Sequence, residues 1–295
     1  MKHVYLSDSG PKVSEAIYGF WRWKDKGNDT IQQIEKIVNL CLELGINTFD
    51  HADIYGDFSI ERYFGEVLKS KSFKRDEVVL FSKSGIRRSA KGYTYYDTSP
   101  DHIVKSVNNS LQHLRTDYLD VFLLHHIDHL SDLESTAQSL MQLVKQGKIK
   151  SVGVSNFSVF QHQQLASYLT VPIVTNHVEL NLLNISAIED GRIDFIKQRY
   201  SKPLAWAPLA DGKISNGLDP KSELVRSKLS EIGQKHNANV ELTAVAWLLQ
   251  LGTLPIIGSL NEERIRNAAT ATDIKLSPED WYELYQIAQL KSPAL

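Results

Sequence analysis

Four side chains with complementary acid–base chemistry follow short apolar runs in the first half of the chain: Asp50, Tyr55, Lys83 and His125. They stand in Phe49-Asp50-His51-Ala52-Asp53-Ile54-Tyr55-Gly56, Phe81-Ser82-Lys83 and Leu124-His125-His126. A carboxylate, a phenol, an amine and an imidazole together suit proton delivery to an alkoxide, the species left when a hydride adds to a carbonyl carbon. A phenol alone donates poorly at neutral pH, since its reference pKa is near ~10. An adjacent ammonium lowers that value, a carboxylate holds the ammonium charged, and an imidazole orients the carbonyl or shares the proton. Singly, each residue has a plainer reading as surface cation, half-buried packing ring or turn residue. Their joint occurrence on three successive strand ends favours chemistry.

A second constellation, His51, Asp53, His125, His126 and His129, is the kind of set a metal-dependent barrel hydrolase would use. Against it, His129 falls in a polar loop. His51 and Asp53 share a side with Tyr55 only if the strand continues. No metal is expected. The single cysteine, Cys41, excludes an internal disulfide and a cysteine metal cluster.

The elements that must position these groups recur along the chain. Short β-prone runs cover 16–19, 47–52, 78–83, 119–125, 151–155, 173–180, 203–208 and 255–258. Amphipathic helical stretches separate them. Thr30 is the expected cap of a helix carrying Ile31, Ile34, Ile37, Val38, Cys41 and Leu42 on one face, closed by Gly45. Ser99-Pro100-Asp101 reads as an N-cap with proline at the first helical position. Eight β–α alternations in 295 residues predict one domain, residues 1–295, folded as a (β/α)8 TIM barrel. An open doubly wound sheet is the alternative. Its dinucleotide fingerprint needs G-x-G-x-x-G, and no two of the 16 glycines are separated by one residue. In a (β/α)8 barrel the chemistry sits at the C-terminal strand ends, where these four residues fall.

Composition removes several function classes. A net charge of −2 gives no basic field for nucleic acid or an acidic membrane. No apolar stretch reaches the roughly 18 residues of a membrane span, and Met1 to Gly10 shows no signal-peptide run. A cytoplasmic protein with no obligatory protein partner is the expectation.

Three segments resemble one known family. The stretch from Asn47 to Gly56 is similar to the F-D-x-A-x-x-Y-G signature of the aldo-keto reductases. Asp117 to Asp128 is similar to their D-L-x-L-x-H-x-P-D segment. Gly147-Lys148-Ile149-Lys150-Ser151-Val152-Gly153-Val154-Ser155-Asn156-Phe157 is similar to G-K-I-R-x-x-G-V-S-N-F. The local wording, including Pro255-Ile256-Ile257-Gly258-Ser259, resembles the bacterial YdhF-type branch. The resemblance implies reduction of aldehydes and ketones with NADPH (NADH remaining possible). It implies Tyr55 as general acid, Lys83 and Asp50 as its tuning pair, and His125 as the residue orienting a small-molecule carbonyl substrate. It implies Ser155, Asn156 and His177 around the nicotinamide carboxamide and Trp206 on the nicotinamide face. The loop from Leu209 to Gly217 would cover the pyrophosphate. Ser259, Asn261 and Arg264 would hold the 2′-phosphate at the start of the last helix, in keeping with anion binding there.

The chain departs from the family at Ile127, where proline is usual, and at His177, where glutamine is usual. A neutral imidazole donates or accepts one bond, not an amide's pattern. Trp206 replaces tyrosine and keeps a stacking surface. Gly258 lies where some relatives carry a lysine, which leaves more of the phosphate charge to Arg264. Trp21 and Trp23, with Tyr93, Tyr95 and Tyr96, are candidate pocket walls. The sequence ends at Leu295, soon after the last helical stretch, so no long closing loop and a broad specificity are expected. A barrel that binds NADPH only to report redox state is the other reading, which the intact proton-donor set disfavours.

Overall fold

The computed structural model describes residues 1–70 and 73–290. All eight expected runs form strands, most of them trimmed at an end: β1 Ile17–Gly19, β2 Thr48–Asp50, β3 Val79–Ser84, β4 Leu119–Leu124, β5 Ile149–Ser155, β6 Ile173–Glu179, β7 Leu204–Trp206 and β8 Leu254–Ile257. Each pairs in parallel with its neighbour, β8 returns to β1, and the sheet closes into an eight-stranded barrel. The TIM-barrel expectation therefore holds. Among the described residues ten longer helices surround it: α1 Asn28–Glu43, α2 Ile60–Lys69, α3 Pro100–Leu114, α4 Leu133–Lys145, α5 Val159–Tyr168, α6 Arg192–Gln198, α7 Pro220–Gln234, α8 Val240–Gln250, α9 Glu262–Thr270 and α10 Pro278–Gln289. No helix among the described residues is long and apolar enough to cross a membrane. Residues 291–295, on which the expectation about a closing loop bears, lie outside the described residues.

Strand alternation divides the apolar residues into two layers. Ile17, Phe81, Val121, Leu123, Leu204, Leu254 and Ile256 fill the barrel lumen. Tyr18, Phe49, Leu80, Phe122, Val152 and Val154 face outward and pack under α1 to α5. Full burial of each such side chain contributes roughly 1.5–3 kcal/mol, so the pattern fixes the register of every strand.

Two caps differ from expectation. α1 begins at Asn28, two residues before Thr30, and Gly27 at its N-cap gives no side-chain bond. The Thr30 hydroxyl instead accepts from Lys26 N (2.8 Å). Ser99 does stand at the N-cap of α3, but its hydroxyl donates to Asp97 Oδ1 (2.6 Å) and leaves the helix amides uncapped.

Two antiparallel hairpins were not legible in the sequence because each arm is only three residues long. His3–Tyr5 pairs with Lys12–Ser14. Ser14 N donates to Asn47 Oδ1 (3.1 Å) and Thr48 Oγ1 (3.2 Å), at the N-terminal end of β2. Leu6 and Val13 join the lumen cluster and close the barrel there. The second hairpin, Ile86–Arg88 with Thr94–Tyr96, rises from the opposite end, after β3.

Candidate functional site

The lumen changes character toward its C-terminal end. Above Phe81, Val121 and Leu123, the next inward positions of β2 and β3 are Asp50 and Lys83. Their side chains are 4% and 3% exposed. The Lys83 ammonium donates to Asp50 Oδ1 (2.7 Å), Asp50 Oδ2 (2.8 Å) and the His51 carbonyl (2.6 Å). An ammonium has three donors, and these three acceptors use them all. Burial pushes the Asp50 carboxyl up and the Lys83 ammonium down, and each opposes the shift in the other.

Tyr55 stands just beyond β2, at the start of a short turn in which Gly56, Asp57 and Phe58 all have positive φ. Two of those three are not glycine, a strained arrangement held by its surroundings. One tie is the ion pair between Arg88, on the second hairpin, and Asp57. The Tyr55 ring lies 6.0 Å from the His125 ring at 77°, and Lys83 Nζ is 5.0 Å from its centroid. The phenol is pushed well up, first by burial, then by Asp50 and Asp53. The sequence predicts the opposite direction, through Lys83. Here the three donors of the ammonium go to Asp50 and His51, and burial is the largest influence on the phenol. Burial, then Lys83 and His126, hold His125 neutral, and its Nδ1 has no hydrogen-bond partner among the described residues.

His177 completes the floor. The β5–β6 pairing slips between Ile173 and Asn176. That irregularity lets Val174 and His177, three residues apart, both face the lumen, while Asn176 turns outward to donate to the Phe157 carbonyl (2.8 Å). His177 Nδ1 lies 3.8 Å from Asp50 Oδ1. Burial and Lys83 keep the ring neutral, and neither ring nitrogen has a hydrogen-bond partner among the described residues.

Ser155 ends β5, and Asn156 follows it with φ 62°, a left-handed conformation asparagine tolerates. The Asn156 amide nitrogen reaches Ser155 Oγ (3.0 Å), His126 Nε2 (3.1 Å) and the His125 carbonyl (3.3 Å). Its oxygen accepts from Trp206 Nε1 (3.0 Å). Trp206, at the end of β7 and partly buried against the lumen cluster, is thus held by its ring N–H. The orphaned nitrogens of His125 and His177, beside Ser155, Asn156 and Trp206, fit the carboxamide and ring of a nicotinamide.

Farther out, the chain on either side of Leu209 turns repeatedly, with Ala207 before it and Ala210, Asp211 and Gly212 after it at positive φ. Arg22, after β1, bridges to Asp211 across this rim (2.7 Å). Ser259 and Asn261 precede α9. The Asn261 side chain caps that helix, accepting from Glu263 N (2.9 Å) and Arg264 N (3.3 Å). Arg264 lies in the first turn, half exposed, with Glu241 of α8 3.1 Å from its guanidinium. α9 follows the last strand but is not the last helix, since α10 comes after it.

Several candidates are placed elsewhere. Trp23 is 4% exposed, stacked on Phe20, with its indole N–H donated to Tyr18 Oη (3.2 Å). It is a core residue and no pocket wall. Trp21 is exposed, as are Tyr93, Tyr95 and Tyr96, and the Tyr96 ring lies 5.0 Å from that of His126. His51 turns outward and stacks on Phe20 at 4.2 Å. Asp53 turns to Ser106 of α3 (3.2 Å), and His129 is exposed. The metal-ligand reading therefore loses its geometry. Among the described residues no three His, Cys, Asp or Glu side chains are grouped to hold an ion.

Sequence reasoning offered Asp53 only as a possible metal ligand and missed Glu61, and both carboxyls are withdrawn from solvent behind the site. Burial raises Asp53 to about 7, and burial raises Glu61 to about 7 despite its bond from Ser82 Oγ (2.5 Å). Glu61 is within this layer because α2 and α3 cross closely at Gly65, where a Cβ would meet the His113 carbonyl at 1.9 Å. No local signal in the sequence marks a carboxyl as buried by a helix forty residues away.

Comparison with known proteins agrees with this arrangement. A profile described as "Aldo/keto reductase family" matches residues 15–289. The chain is 35% identical to the oxidoreductase YdhF of Escherichia coli and 35% identical to a 6-dehydroglucose reductase of Agrobacterium fabrum, in each case over 98% of both chains. Among solved structures it is similar to the thermostable aldo-keto reductase Tm1743, crystallised with the inhibitor epalrestat. The TM-score is 0.84 at 26% identity, over 97% of this chain and 100% of that one.

Proposed function

The chain belongs to the aldo/keto reductase family and is an NAD(P)H-dependent, carbonyl-reducing oxidoreductase; from that premise we propose that it prefers NADPH over NADH and uses Tyr55 as its proton donor. The observation that carries the proton-donor role is the buried Lys83–Asp50 pair beneath the Tyr55 ring, with His125 across from it; the NADPH preference rests on Arg264, half exposed in the first turn of α9. When bound, the nicotinamide supplies the hydride to the carbonyl carbon. His125, neutral, orients the carbonyl oxygen toward Tyr55, and the phenol Oη gives its proton to the alkoxide as it forms. Lys83, 5.0 Å from the ring and with no donor left to give, acts on the phenolate left behind through its charge alone, and Asp50 keeps Lys83 charged. Ser155, Asn156 and His177 hold the carboxamide, and Trp206 lies against the ring. The loop from Leu209 covers the pyrophosphate, and Ser259, Asn261 and Arg264 take the 2′-phosphate. Trp21 flanks the substrate at the rim.

The test follows NADPH oxidation over a panel of aldehydes and ketones. 6-Dehydroglucose belongs on it because a relative is named for its reduction. Tyr55→Phe is expected to lower kcat by about 10²–10⁴, the range for a general acid, while NADPH binding stays unchanged. Equal turnover by both forms would instead support the redox-reporting barrel.

A further inference from the structure

The outer end of the nucleotide groove carries an anion where the proposed ligand is also an anion. Glu241 lies in the first turn of α8, with its side chain 18% exposed. Its Oε1 accepts from Ser215 Oγ (2.8 Å), on the loop after β7, and lies 3.1 Å from Arg264 Nη2, on α9. One carboxylate oxygen therefore ties the covering loop to the arginine. A guanidinium fork matches one carboxylate or one phosphate at a time. A 2′-phosphate arriving at Arg264 must share it with Glu241 and meets a like charge close by. A ribose with a free 2′-hydroxyl meets no such repulsion and can donate to the carboxylate, the device by which acidic residues select NAD in other dinucleotide sites. The Asn261 side chain already occupies two amides of α9, so the helix end does little to offset this.

We infer that Glu241 is a specificity-determining residue that narrows the preference for NADPH by holding Arg264 and by accommodating the 2′-hydroxyl of NADH. This rests on the reading that Arg264 takes the 2′-phosphate. Glu241→Gln removes the charge and keeps an oxygen for Ser215, so the loop tie survives.

The experiment measures NADPH and NADH dissociation constants by tryptophan quenching in the unsubstituted protein, Glu241→Gln and Arg264→Ala. In Glu241→Gln the NADPH-over-NADH ratio is expected to rise roughly fivefold, the scale of one partly exposed ion pair. In Arg264→Ala the preference is expected to vanish. An unchanged or lowered ratio in Glu241→Gln, with the preference lost in Arg264→Ala, overturns the role of Glu241 alone. A preference that survives Arg264→Ala overturns the 2′-phosphate site and Glu241's role with it. No quenching of the unsubstituted protein by either nucleotide overturns the proposed function itself.

Discussion

The two ends of the groove are built on opposite principles. At the inner end, Asp50, Lys83 and His177 are nearly inaccessible and their positions are dictated by strand alternation. At the outer end, Arg22, Asp211 and Arg264 are each about half exposed and meet through long side chains on loops and helix starts. A buried charge costs several kcal/mol unless its partner is in place, so the inner end tolerates one arrangement. Exposed pairs are worth at most about 1 kcal/mol, so the outer end can be retuned without endangering the fold. On the proposed assignment, chemistry lies where change is costly, and nucleotide preference where it is tolerated.

The largest effect that would break this contrast is at the inner pair. Lys83→Met leaves the Asp50 carboxylate buried and alone, and is expected to destabilise by about 3–5 kcal/mol as well as abolish most turnover. Adding Asp50→Asn is expected to restore most of the melting temperature but none of the kcat. Recovery of both would mean that the pair serves the fold and not the reaction.

A middle-sized effect lies just behind the site. Asp53 and Glu61 titrate near 7 when folded and near their ordinary values when unfolded. Between about pH 4 and 7 the folded state holds protons that the unfolded state has released, so stability from these groups falls as pH rises. The buried histidines, His162 among them with a pKa lowered to about 4, change stability in the opposite sense. Comparison with Asp53→Asn isolates the carboxyl. Its melting temperature relative to the unsubstituted protein is expected to climb by a few degrees from pH 4 to 7 and then level off. A flat difference would show that Asp53 is not buried as an acid.

The smallest effect belongs to the rim. Raising salt from 0.05 to 0.5 M is expected to weaken NADPH binding several-fold by screening exposed charges, while kcat at saturation is unchanged. A fall in kcat would place an exposed charge in the chemistry.

The same contrast governs how much of the molecule its sequence discloses. The barrel and the Asp50, Tyr55, Lys83 and His125 set were legible because each strand announces its own period and end. The inward turn of His177 was implied only by resemblance, since it depends on an irregularity between strands. Trp23 was misplaced because an aromatic near a strand end looks alike whether it lines a pocket or the core. The phenol's direction was mistaken because types and spacing do not say where an ammonium spends its three donors. Glu241 and Arg264 meet across 23 residues of sequence, from two helix starts, and nothing local couples them.

The N-terminal hairpin carries a consequence of its own. Leu6 and Val13 extend the lumen cluster of Ile17, Phe81, Val121, Leu123, Leu204, Leu254 and Ile256 by one more layer, so the barrel is solid from its N-terminal end up to the Lys83–Asp50 pair. That pair therefore rests on an apolar plinth, and its surroundings can be wetted from above only.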